Sequence, residues 1–268
     1  MFIKKSGSAN SGGNMKIAIV TGASSGMGRE FVKQISENYK CLDEIWVIGR
    51  NADKLCDVQK DVRIKLRILP MNLRKKEAME RLRHALDTRQ PRIKILVNCA
   101  GMGVIGDFSQ LSLNAQRETV RLNCEALTAV TYVCLPYMHR RTRIIQMSSA
   151  SAFVPQPGFA IYAASKSYVL SFSRALRAEL KDKGITVTCV CPGPVDTPFY
   201  RRAEKIEVMP AYKKWTMEAP ADVVAKAIRD GAAGRSLSIY GWSMKLFFLL
   251  CKIVPHPVII AAAARLDT

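Results

Sequence analysis

Histidine is scarce in this chain, with three in 268 residues, and the eight cysteines include no C-x-x-C pair. A zinc site needs closely spaced Cys and His ligands, so no metal is expected. The cysteines fall mostly inside apolar runs, as reduced core thiols of a cytosolic protein do. Cys189 and Cys191 alternate along an expected strand, which puts both on one face. Acidic residues are the second shortage: 22 Asp and Glu stand against 41 Lys and Arg, a formal charge of +19. Such an excess favours anionic partners, whether nucleotide phosphates, acidic lipid or nucleic acid. The basic clusters Arg74-Lys75-Lys76, Arg140-Arg141 with Arg143, Arg201-Arg202 and Lys213-Lys214 come without any nucleic-acid-binding signature, so they read as solvated surface and nucleic acid is not an expected partner. Also missing are an uncharged run of about 18 residues, as a spanning helix requires, and the apolar stretch of a secretory signal. A cytoplasmic location is the expectation.

The length suits one large α/β domain. Residues 1–14, rich in Gly, Ser and Asn, read as a disordered leader or a remnant of cloning. The domain is expected over 15–241, with a substrate lid at 198–217 and an apolar C-terminal tail at 242–268.

The rest of the chain is organised around KIAIVTGASSGMG, Lys16 to Gly28. Ile17 to Val20 form a short β-branched run that predicts a strand buried on both faces. Gly22, Gly26 and Gly28 follow in a G-x-x-x-G-x-G spacing, and then Phe31, Val32 and Ile35 mark the inner face of a helix. Glycine lets the backbone turn tightly and lie close to a bound group. The first turn of a helix is an anion site, so the unit suggests a dinucleotide pyrophosphate, against the alternative of a purely structural turn.

Glu44–Gly49 predicts a second strand, after which Arg50-Asn51 opens a loop. An acid at such a strand end would accept from a free ribose 2′-OH, whereas an arginine would pair with a 2′-phosphate. With Gly49 in that place and Arg50 beside it, NADP is favoured over NAD. Further strands are predicted at 64–69 and 93–98, with a charged helix at 74–88 between them. The fourth ends in the small-residue turn Asn98-Cys99-Ala100-Gly101, where a cofactor could approach. A long helical pattern covers Leu113 to Met138, and within it Asn123 is a polar amide in apolar surroundings that must have a partner.

A fifth strand, 143–147, ends in Ser148-Ser149. From Tyr162 the apolar positions recur at helical spacing, so Tyr162 and Lys166 are i and i+4 on one face. An ammonium near a phenol favours the phenolate and makes the tyrosine a usable acid or base. Strands at 185–191 and 236–240 and a helix at 220–231 complete the pattern.

Taken together, Thr21-Gly22 with Gly26 and Gly28, Asn98 with Ala100-Gly101, Asn123, Ser149, Tyr162-Ala163-Ala164-Ser165-Lys166 and Pro192-Gly193 with Thr197 resemble the short-chain dehydrogenase/reductase family. The order and spacing agree over roughly two thirds of the chain. The resemblance implies a Rossmann-type, doubly wound domain with a parallel sheet of about seven strands. It implies that Tyr162 exchanges a proton with the substrate oxygen while hydride passes at the nicotinamide, and that Ser149 positions that oxygen. Lys166 would lower the pKa of Tyr162 and hold the nicotinamide ribose, and Asn123 would hold a water leading to Lys166. The NADP(H) contacts it implies are Gly22, Ser24, Ser25, Gly26, Met27, Gly28, Arg50, Asn72, Leu73, Asn98, Ala100, Gly101, Tyr162, Lys166, Pro192, Gly193, Val195 and Thr197. Two positions depart from the family pattern: Cys99 stands where a second Asn is usual, and Asn72 replaces a common aspartate. Family likeness also implies a homodimer or homotetramer.

The reading is therefore a reductase of ketones or aldehydes, or the reverse alcohol dehydrogenase, acting on a lipophilic small molecule. Its rival is a non-catalytic dinucleotide sensor or scaffold. Phe199, Met209, Tyr212 and Trp215 are candidates to line the substrate pocket. Three uses suit the tail, ranked as capping the cleft, an oligomer contact, and peripheral contact with an anionic membrane.

Overall fold

The computed structural model describes residues 15–198 and 217–266. The predicted lid and its aromatic candidates lie almost wholly outside the described residues, as does the leader.

Seven parallel strands form one sheet: β1 (Lys16–Thr21), β2 (Glu44–Gly49), β3 (Lys65–Pro70), β4 (Arg92–Asn98), β5 (Met138–Met147), β6 (Thr186–Val190) and β7 (Leu237–Ser238), in the order β3-β2-β1-β4-β5-β6-β7. The order reverses between β1 and β4, whose last residues Thr21 and Asn98 are paired. A crevice at the carboxyl ends there is where open α/β sheets bind ligands.

Side chains alternate across each strand, and every strand near the centre is apolar on both faces. Ile17 and Ile19 face one core layer, with Leu82 and Leu86 of α3 (Lys76–Arg89), Val130 and Val133 of α5 (Leu127–Cys134) and Leu176 of α6 (Ala160–Glu179). Ala18 and Val20 face the other, with Phe31, Val32 and Ile35 of α1 (Gly26–Asn38) and Val223, Val224, Ala227 and Ile228 of α7 (Pro220–Ala232). A fully buried side chain of this size contributes about 1.5–3 kcal/mol, so these layers hold the strand ends rigidly beneath the site.

Three elements differ from the sequence reading. The segment behind Arg50 is not a plain loop: α2 (Ala52–Val58) forms there, with Asn51 Oδ1 accepting the Lys54 amide at 2.8 Å as its cap. The long helix predicted from Leu113 is α4 (Leu113–Val120), then a π-helical turn at Arg121–Ala126, then α5. It ends at Cys134, because Pro136 can only follow in a short 3₁₀ turn, and β5 then begins at Met138 rather than at 143. The tail is two helices, α8 (Trp242–Ile253) and α9 (His256–Leu266), separated at Val254-Pro255.

Candidate active site

The first wall of the site is the glycine turn between β1 and α1. Gly22 and Gly26 have φ of 69° and 53°, in the left-handed region. A Cβ on Gly22 would lie 2.9 Å from Ala100 Cα, and one on Gly28 would lie 2.1 Å from the Gly22 carbonyl oxygen. The turn is thus pressed against the β4 turn on one side and into its own helix on the other. Ser25, at the α1 cap, makes no capping hydrogen bond through its side chain, and no acid occupies the first turn of α1. The amides and the positive end of that helix are therefore open to an anion without a competing carboxylate. This cradle fits a dinucleotide phosphate, with Ser24, Ser25, Met27 and the three glycines around it.

Thr21, at the end of β1, locks the neighbouring turn. Its Oγ1 accepts the amides of Cys99 and Ala100, both at 3.0 Å, and donates to the Val97 carbonyl at 3.4 Å. The sequence signal for that role is a lone hydroxyl closing an apolar strand. Asn98 closes β4 at the same turn. Its side chain is buried and donates inward to Thr131 Oγ1 at 2.9 Å and Gln146 Oε1 at 3.0 Å, so it ties β4 to β5 and α5. Any approach of a cofactor to this residue is through its backbone.

At the end of β2, Gly49 lies beside the glycine turn: a Cβ there would meet Leu55 Cδ2 at 3.2 Å and Ser24 Oγ at 3.5 Å. Arg50 is exposed at the strand end. Asn72 Oδ1 accepts from the Arg74 amide at 3.3 Å and from its Nε at 3.2 Å, while Arg74 also pairs with Glu118. Leu73 is buried next to it.

The second wall is built on α6. Tyr162, Ser165 and Lys166 lie on the buried face of α6. Lys166 Nζ stands 5.5 Å from the centre of the Tyr162 ring and donates to the Met147 carbonyl at 2.9 Å. Burial pushes its pKa below the usual lysine value, although the Cys99, Cys189 and Cys124 thiols pull the other way. Phe159 stacks on Tyr162 with ring centres 4.2 Å apart and fixes its plane. Asn123, in the π-helical turn, finds the partners its burial demands: Oδ1 accepts the Met102 amide at 2.9 Å, and Nδ2 donates to the Met102 carbonyl at 2.8 Å and to Ser165 Oγ at 2.9 Å. Ser165 in turn donates to the Tyr162 carbonyl at 2.7 Å. A single insertion of π geometry is a common way for a helix to aim one residue into a site. Gly101 closes the set, since a Cβ there would lie 3.3 Å from Asn123 Oδ1 and 3.4 Å from Lys166 Nζ.

Ser149 caps a short 3₁₀ turn (Ala150–Ala152), where its Oγ accepts the Ser151 amide at 3.2 Å. The Ala150 amide donates to the Pro192 carbonyl at 2.8 Å, so the Ser149 and Pro192 turns are joined. Val195 and Thr197 are buried beyond it, with Thr197 Oγ1 donating to the Val195 carbonyl at 3.3 Å. A Cβ on Gly26 would lie 3.3 Å from Thr197 Cβ, which brings the segment after β6 onto the glycine turn. Gly193 lies under Met244 of α8, whose Sδ would be 2.7 Å from a Cβ at that position. Nothing in the sequence pointed to Met244. Among the described residues no group of His, Cys, Asp and Glu could hold a metal ion.

Known proteins resemble the chain in this arrangement. The family model of the short chain dehydrogenases matches residues 16–207. A very-long-chain 3-oxoacyl-CoA reductase-like protein of Arabidopsis thaliana is 29% identical over 255 residues, covering 90% of this chain and 78% of that protein. A short-chain dehydrogenase from Sphingobium yanoikuyae, solved in complex with NADPH, superposes with a TM-score of 0.72 at 25% identity, over 84% of this chain and 87% of its own. One from Burkholderia phymatum, solved with NAD, shares the fold with a TM-score of 0.76 at 20% identity, over 88% and 92%. The glycine turn, the parallel sheet and the Tyr162–Lys166 helix thus coincide with a family match over most of the chain, and the chain belongs to the short-chain dehydrogenases/reductases.

Proposed function

We propose that the protein is an NADP(H)-dependent reductase of ketones or aldehydes, cytoplasmic, acting on a lipophilic substrate and reversible as an alcohol dehydrogenase. The observation that carries this reading is the placement of Lys166 Nζ by the Met147 carbonyl, under the Tyr162 ring and against Gly101. A sensor needs no buried lysine beside a tyrosine.

The bound nicotinamide supplies or accepts the hydride. Tyr162 donates its phenolic proton to the carbonyl oxygen as that oxygen gains charge, and takes it back in oxidation. Ser149 donates to the same oxygen and fixes its position. Lys166 stabilises the phenolate left behind and reaches the nicotinamide ribose. With its side chain engaged by Met102 and Ser165, Asn123 acts through its main chain, holding a water on the path to Lys166. Gly22, Ser24, Ser25, Gly26, Met27 and Gly28 receive the pyrophosphate, Asn72 and Leu73 the adenine, and Ala100, Gly101, Pro192, Gly193, Val195 and Thr197 line the nicotinamide half. Arg50 reads the 2′-phosphate, since no carboxylate stands at the end of β2. The NADPH-bound relative and the long-chain acyl name of another support cofactor and substrate class. Exposed Leu113, Val120, Tyr132 and Tyr168 on α4 to α6 support pairing of copies as a homodimer or homotetramer.

The test is fluorescence titration with NADPH and NADH at fixed ionic strength, followed by NADPH oxidation against apolar ketones and aldehydes. Tighter binding of NADPH with turnover of an apolar carbonyl is expected. Binding with no turnover across the panel would favour the sensor, and no binding would overturn both readings.

A further inference from the structure

Helix α8 is apolar on two opposite faces. Met244, Phe247, Phe248 and Cys251 turn inward onto Phe153, Cys189, Cys191 and Ile239. Trp242, Leu246, Leu249, Leu250 and Ile253 turn outward, with Trp242 79% and Ile253 70% exposed. At a helical repeat of about 100° per residue the outward five fall within an arc of roughly 100°. Lys245 and Lys252 both lie along one edge of that arc, exposed. A helix that is hydrophobic all round is normally covered on all sides.

We propose that this outward stripe docks the enzyme onto an anionic lipid surface, with α8 lying in the plane of the interface. Charge selects the occupant: no acidic residue stands between Asp230 and Asp267, whereas Arg235, Lys245, Lys252 and Arg265 do. Tryptophan and lysine at the border of an apolar stripe match the headgroup level, where a ring and a long amine each find an apolar and a wet side. A second copy fits less well. The stripe's flanking charges are Lys245 and Lys252 with no acid on the helix, so a second copy of the same face offers them no opposite charge. The helix does not cross: about 18 Å falls short of a hydrocarbon core of about 30 Å, and among the described residues no helix is long and apolar enough.

The test is co-sedimentation of the full chain with phosphatidylcholine vesicles, with and without phosphatidylglycerol, alongside tryptophan emission. Binding to the anionic vesicles is expected, weakening with salt, with a blue shift that Trp242→Phe removes. The pair Leu249→Glu and Ile253→Glu should cut binding by more than about tenfold, and Lys245→Gln and Lys252→Gln by roughly fivefold each. Circular dichroism melts of each variant separate loss of docking from loss of fold. Failure to bind anionic vesicles, or equal binding by the glutamate pair with its melt unchanged, would overturn the proposal. So would dissociation of an oligomer by the glutamate pair in lipid-free buffer, which would assign the stripe to a second copy. None of these readouts depends on cofactor or turnover.

Discussion

Lys166 is anchored by the Met147 carbonyl, at 2.9 Å, rather than by a carboxylate, and its ammonium lies 5.5 Å from the centre of the Tyr162 ring. Burial is the largest influence on it and holds its pKa below the ordinary 10.5. Between the folded and unfolded values the unfolded chain binds more protons, so stability rises with pH in that window. Lys166→Met lacks this dependence. The stability advantage of the variant over the wild type should be largest near neutrality and shrink as pH climbs toward about 10. Denaturant melts at several pH values check this, and a pH-independent difference would contradict it. Turnover by the variant is expected to be lost.

Tyr162→Phe removes only the phenolic hydroxyl. Turnover should fall by roughly 10²–10⁴-fold, as loss of a general acid does, while NADPH affinity stays near the wild-type value. Substantial residual turnover would remove the acid role from this residue.

Arg50 stands exposed with Gly49 before it and no acid at the strand end. A charge-assisted bond to phosphate is worth about 1.5–3 kcal/mol, so Arg50→Ala should weaken NADPH by about 10- to 150-fold and NADH far less. Equal losses in parallel titrations would mean that another group reads the 2′-phosphate.

Three glycines separate conformational strain from contact. Gly158 has φ of 67° and open space around a would-be Cβ, so Gly158→Ala should cost only left-handed strain, about 1–2 kcal/mol. Gly22→Ala adds a backbone clash with Ala100 to the same strain, and Gly28→Ala drives a methyl into the Gly22 carbonyl. Stability should fall in the order Gly158→Ala, Gly22→Ala, Gly28→Ala, and NADPH binding should survive only the first. Comparable losses for all three would mean that the turn relaxes.

Much of this was legible because chemistry and periodicity coincided. The apolar runs ending at Gly49 and Asn98 close β2 and β4 at those residues, and Tyr162 and Lys166 share a face of α6. Other features depend on three-dimensional neighbours. Helix α2 is short and charged, with only Leu55 and Val58 buried, too little for a periodic signal. The π-helical turn leaves no mark on the apolar pattern around Asn123. Asn98 points inward only because Thr131 and Gln146, from elements far along the chain, meet it there. Met244 over Gly193 required knowing where α8 folds back.

The cysteines supply a graded clock of opening. Cys41 and Cys56 are exposed, Cys99 and Cys124 are half-covered, and Cys134, Cys189, Cys191 and Cys251 are buried. Burial also keeps Cys99 and Cys134 protonated, the former with a pKa pushed up to about 12. A thiol reagent on the native protein thus reads Cys41 and Cys56 at once, the half-covered pair more slowly, and the four buried thiols only as the fold opens. Cys251 lies on the inward face of α8, so its alkylation also registers the lifting of that helix.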